Sequence, residues 1–125
     1  MKKMNAVNWF EIFVNDINRA QKFYETVLDV TMQDISPSET NRMVMFPFVE
    51  NAPNAMGSLA WSPDMKAGGN STIVYFVCDD CQVEQNRVEA AGGKVLQPKF
   101  SIGDNGFCAL CIDTEGNYFG LHSMK

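Results

Sequence analysis

The chain has 125 residues, 46% of them hydrophobic and 20% charged, with a net charge of −5. This is one domain with enough chain to bury a core, and the composition excludes a disordered polymer. An acidic chain without a basic cluster argues against nucleic acid or an anionic membrane surface as partner, and no apolar run approaches the ~20 residues of a membrane span.

Met1-Lys2-Lys3-Met4-Asn5 has two lysines and no apolar segment behind them, which speaks against a secretion signal and for a cytoplasmic protein with reduced thiols. Trp9 to Val14 reads as a strand. Asp16 is an N-cap for a helix over Ile17 to Leu28, where Ala20, Phe23, Tyr24, Val27 and Leu28 make an apolar stripe. Val30 to Ile35 predicts a strand, Pro37 to Asn41 a turn, and Met43 to Phe46 and Ser58 to Trp61 two more strands. Pro63 to Ser71 reads as a linker. Beyond it come a strand over Thr72 to Val77, a helix over Gln82 to Ala91 ended by Gly92-Gly93, and a strand over Lys94 to Leu96. Pro98 to Gly106 reads as a loop with the glycines of a lid. Strands over Phe107 to Ile112 and Tyr118 to His122 flank a turn at Asp113 to Asn117, whose Glu115-Gly116-Asn117 calls for one positive φ.

The two halves repeat one another. Phe10-Glu11-Ile12-Phe13-Val14-Asn15-Asp16 returns as Val74-Tyr75-Phe76-Val77-Cys78-Asp79-Asp80, each copy leading into a helix, with Gln21 and Glu25 matching Gln85 and Glu89. Two copies are too few for a solenoid, so the chain is one domain of two related modules, about 5–62 and 72–125. Such halves often enclose a site between them.

Cys78-x-x-Cys81 and Cys108-x-x-Cys111 make a doubled CxxC, the spacing of a zinc site. Residues i and i+3 of a strand point to opposite faces, however, so Cys108 and Cys111 cannot converge on one ion. Four small buried thiols are the simpler expectation.

The run Asn15-Asp16-Ile17-Asn18-Arg19-Ala20-Gln21-Lys22-Phe23-Tyr24-Glu25-Thr26-Val27-Leu28 resembles the first-helix signature of the vicinal oxygen chelate superfamily of glyoxalase I, bleomycin-resistance proteins and extradiol dioxygenases. Asp113-Thr114-Glu115-Gly116-Asn117-Tyr118-Phe119-Gly120-Leu121-His122 resembles its last hairpin, and Ala90-Ala91-Gly92-Gly93-Lys94-Val95 its second helix exit. The resemblance implies an α+β fold of two tandem βαβββ modules, forming a curled mixed sheet with a cup-shaped cleft. It also implies a homodimer. Enzymes of the family hold a divalent metal in the cup. Carried onto this chain, the four ligand positions fall at Trp9, near Ser58, near Ile73 and at Gly120, none of them His, Glu or Asp. No metal or other cofactor is therefore expected at these four positions, with Glu11 and His122 left as the one pair that keeps a divalent metal open.

Alternation places Glu11 beside Trp9, and His122, the chain's one histidine, beside Gly120. If the sheets bring Glu11 and His122 together, the carboxylate orients the ring for general-base work. Trp9, Phe13, Tyr75 and Val77 share the inward face, with Met43 and Met45 joining them and Phe107 at the mouth. Such a wall suits a small aromatic or amphipathic ligand. Two readings follow: a binding protein that takes such a ligand without metal, or a lyase or isomerase of the glyoxalase type using Glu11 and His122, with or without a metal.

Overall fold

Alternation along the first strand sets the layers. The computed structural model describes residues 5–125, so the reading of the lysines within Met1–Met4 lies outside the described residues. In β1 (Trp9–Phe13), Phe10 and Ile12 turn toward the core, and Trp9, Glu11 and Phe13 toward the opposite face. α1 (Ile17–Leu28) follows, then β2 (Gln33–Asp34), β3 (Arg42–Met45) and β4 (Met56–Trp61). The second module repeats the order with β5 (Val74–Val77), α2 (Cys81–Val88), β6 (Lys94–Ser101), β7 (Phe107–Ile112) and β8 (Tyr118–Ser123).

Each module makes one four-stranded mixed sheet, ordered β1-β4-β3-β2 and β5-β8-β7-β6. The first strand of each lies parallel to its last, and the remaining pairs are antiparallel. β1 and β5 are thus matching sheet edges, and among the described residues no ladder joins the two sheets. No helix among the described residues is long and apolar enough to cross a membrane.

The repeated aspartates do the same work twice. The Asp16 carboxylate accepts from the Arg19 amide at 3.0 Å, and that of Asp80 from the Gln82 amide at 3.0 Å. α2 ends earlier than its sequence pattern. The chain turns at Gly92, with φ 105°, and the Gly93 amide returns to the Val88 carbonyl at 3.0 Å.

Three other elements differ from the sequence reading. Of Val30 to Ile35 only Gln33–Asp34 is paired. β6 runs on through Pro98, within the expected loop, because it is an edge strand whose register shifts between Gln97 and Phe100, so no ladder bond is demanded of the proline. The rest of the segment read as a loop holds one 3-10 turn at Gly103–Asn105.

One core serves both modules. Tyr24 of α1 reaches across to Phe76 and Phe119 of the second sheet at centroid distances of 5.6 and 5.5 Å, and Phe46 meets Phe76 at 5.3 Å. The Asp113–Asn117 turn fastens the seam. Glu115 accepts from the Asn15 and Asp16 amides at 3.0 and 2.9 Å and from Arg19 Nε at 2.7 Å. Asn117 Nδ2 donates to the Phe13 carbonyl at 2.9 Å, and its Oδ1 accepts from the Gly68 amide at 2.8 Å. The required positive φ falls on Gly116, at 83°.

The four cysteines are free and buried. Cys111 lies in the core, whereas Cys108 is paired in register with His122 on the opposite sheet face, so their sulfurs diverge. Burial pushes the Cys111 thiol up to about 11. Burial, helped by Glu84, pushes Cys78 to about 12. Both stay protonated near neutral pH.

Candidate functional site

Because Phe10, Ile12, Val44 and Leu59 are committed to the core, the other face of the first sheet is assigned by alternation. It carries Trp9, Glu11 and Phe13 from β1, Met43 and Met45 from β3, and Ser58 and Ala60 from β4. Trp9, Phe13, Met43 and Met45 are half-buried. The Trp9 indole N–H donates to Glu11 Oε1 at 3.2 Å. Ser58 pairs in register with Glu11 and is fully buried, yet its Oγ has no protein hydrogen-bond partner.

A buried hydroxyl without a partner contributes nothing to folding and carries its desolvation cost. Ser58→Ala is therefore expected to leave stability unchanged or to raise it by up to about 1 kcal/mol. Urea denaturation checks this. A loss of stability would show that the hydroxyl is bonded in solution.

The second sheet presents Tyr75 and Val77, 49% and 73% exposed, on the corresponding face. Gly120 lies in register with Tyr75, directly beneath its ring, and any Cβ there would collide with the ring. Phe107 is not at a mouth. Its register with Ser123 puts it on the core side, half-buried, with Lys99 Nζ 4.7 Å from the ring centroid.

Glu11 and His122 are not bonded to each other within the chain. Glu11 is held by Trp9, and His122 Nε2 by the Asn105 backbone carbonyl at 2.7 Å. The pair required for general-base work is absent from the single chain among the described residues.

The donor set does not fit a divalent metal. An indole N–H has no free lone pair, Ile73 and Gly120 offer no side-chain donor, and a serine hydroxyl is a poor ligand alone. Among the described residues no group of three or more His, Cys, Asp or Glu side chains is placed to hold an ion.

One recess is not legible from the sequence. About 240 Å³ in volume, it opens at the seam between Glu11 and Phe13 of β1 and Val74 of β5, with Lys66 and Asn70 from the segment read as linker and Tyr118 from β8. Its signal is faint, since it depends on how two sheet edges approach rather than on any local pattern.

Residues 6–121 match the family model for the Glyoxalase/Bleomycin resistance protein/Dioxygenase superfamily. The chain is 28% identical over 121 residues to CFP32 of Mycobacterium bovis, a protein whose name carries a provisional glyoxylase assignment, covering 95% of this chain and 46% of that protein. The chain thus spans about half the length of the curated relatives it matches. Among solved structures it is similar to the V278E mutant of glyoxalase I from Zea mays, with a TM-score of 0.75 and 20% identity over 94% of this chain and 45% of that one. It is also similar to TnmS3, an antibiotic binding protein from Streptomyces sp. CB03234, with a TM-score of 0.68 and 23% identity over 98% of both chains.

Proposed function

This chain belongs to the Glyoxalase/Bleomycin resistance protein/Dioxygenase superfamily, and from that premise we propose that it binds a small aromatic or amphipathic molecule against the outer face of its first sheet, without a metal. The observation that carries this reading is the wall itself. Trp9, Phe13, Met43 and Met45 are held half-buried around a carboxylate and an unpartnered buried hydroxyl. Indole and thioether side chains make an adaptable apolar surface, and the exposed Glu11 carboxylate supplies a polar contact that orients a ligand. TnmS3, described as an antibiotic binding protein, shares the fold along its whole length, which supports the same use here.

A second copy of this chain closes the site in this reading. The donor set at Trp9, Ser58, Ile73 and Gly120 supports binding in which the ligand meets side chains rather than a metal.

Native mass spectrometry of the untagged protein tests the proposal. A metal-free dimer is expected, together with retained small-molecule mass or quenching of Trp fluorescence on titration with a flat aromatic probe such as 8-anilinonaphthalene-1-sulfonate. Trp9→Ala is expected to weaken probe binding roughly tenfold, the loss of an aromatic anchor. A stoichiometric divalent metal, or probe affinity indifferent to Trp9→Ala, overturns the reading.

A further inference from the structure

We propose that His122 is a positioning residue whose imidazole clasps the Ile102–Gly106 loop to the end of β8 and keeps the Cys108 thiol covered. The loop is a preformed unit. The Ile102 amide donates to the Gly106 carbonyl at 2.9 Å, the Gly106 amide to the Gly103 carbonyl at 3.2 Å, and the Gly103 amide to Ser101 Oγ at 3.1 Å. Ser101 to Asn105 are all exposed, so the loop has little apolar burial to hold it down.

Two contacts fix it to the sheet. Gly106, at φ 100°, packs so closely on the Ser123 carbonyl and Met124 that a Cβ would collide with both. His122 Nε2 meets the Asn105 carbonyl at 2.7 Å, where the ring N–H must donate because a carbonyl only accepts. Cys108 stands in register between His122 on β8 and Phe100 on β6. It is 6% exposed on a sheet face where Tyr75 and Val77 are open. Its cover is therefore lateral, with Phe100 and His122 as its register neighbours, rather than depth in the core.

Alkylation of the native protein by N-ethylmaleimide, located by peptide mapping, reads the cover, and hydrogen exchange reads the loop. His122→Ala is expected to speed alkylation of Cys108 and exchange of the Ile102 and Gly106 amides about tenfold, the factor set by a lost hydrogen bond. The core thiols Cys81 and Cys111 should stay as slow as in the parent. His122→Gln keeps an N–H donor and is expected to restore both rates to within about twofold. Gly106→Ala, which forces the loop off Ser123 with His122 in place, should expose Cys108 as well and serves if His122→Ala fails to fold. Unchanged loop exchange in His122→Ala, a rise at all the cysteines together, failure of glutamine to rescue, or a Cys108 indifferent to Gly106→Ala overturns the proposal.

Discussion

Glu115→Ala is expected to cost about 3 kcal/mol of folding stability, the scale for depriving two part-buried backbone amides of their acceptor at about 1–3 kcal/mol each. The Glu115 side chain is fully buried and accepts from two backbone amides of the first module, from both Arg19 Nε and Nη2, and from Thr114 Oγ1. Alanine deprives the Asn15 and Asp16 amides of their acceptor at the seam between the modules. Arg19 has a half-exposed side chain and can turn to solvent, so Arg19→Ala should cost far less, about 1 kcal/mol or below. Glu115→Gln should fall between, because one amide oxygen can still accept from the backbone while its NH₂ faces the guanidinium. Urea midpoints at pH 7 for the three variants check the order. Equal losses in Glu115→Ala and Arg19→Ala would show that the backbone bonds matter little.

The same carboxylate gives the protein an acid-side dependence. Burial alone would raise its pKa, but the hydrogen bonds from Arg19, Thr114 and the Asp16 amide outweigh burial and hold it below the ordinary glutamate range. A folded-state pKa below the unfolded one stabilises the fold above the unfolded value, and the stabilisation is lost as pH falls through the folded one. The parent should therefore lose stability more steeply than Glu115→Ala on acidification through the carboxylate range, and the two urea midpoints should approach each other there.

How much of this was legible in advance depends on the range of the interaction. Asp16 and Asp80 were readable because an N-cap acts within three residues, and the outer face because strand alternation is local. Cys108 and Cys111 were correctly separated by the same rule. Glu115 was legible only as a turn residue, since its partners lie about a hundred positions away in the first module. The placement of Phe107 at a mouth failed because its face is fixed by register with Ser123, which the sequence does not display. The extension of β6 through Pro98 was hidden by the usual meaning of proline, which an edge position cancels. The sequence places His122 on the cup-facing side beside Gly120, but its partner is a loop carbonyl whose position follows from the packing of Gly106 on Ser123.

Tyr24 tests how far the two modules are one folding unit. The residue is fully buried in α1, touches Phe23, Phe46, Phe76 and Phe119, and donates its hydroxyl to Asp113 Oδ2 at 2.6 Å. Burial first, and then the Asp113 charge, push the phenol well above its usual range, so it remains a donor at all ordinary pH values. Tyr24→Phe keeps the ring packing but leaves Asp113 Oδ2 with only the 3.3 Å contact from Asn117. The expected loss is about 2 kcal/mol, that of a buried acceptor deprived of its partner. Tyr24→Ala also opens a cavity between the modules, with an expected loss of about 4 kcal/mol, within reach of a small domain's whole stability. If one core unites the modules, both variants must unfold in a single urea transition at a lower midpoint, because Tyr24 packs on aromatic rings of both modules. Two separated transitions in Tyr24→Ala would show instead that each sheet and its helix hold together alone, and that the aromatic cluster only docks them.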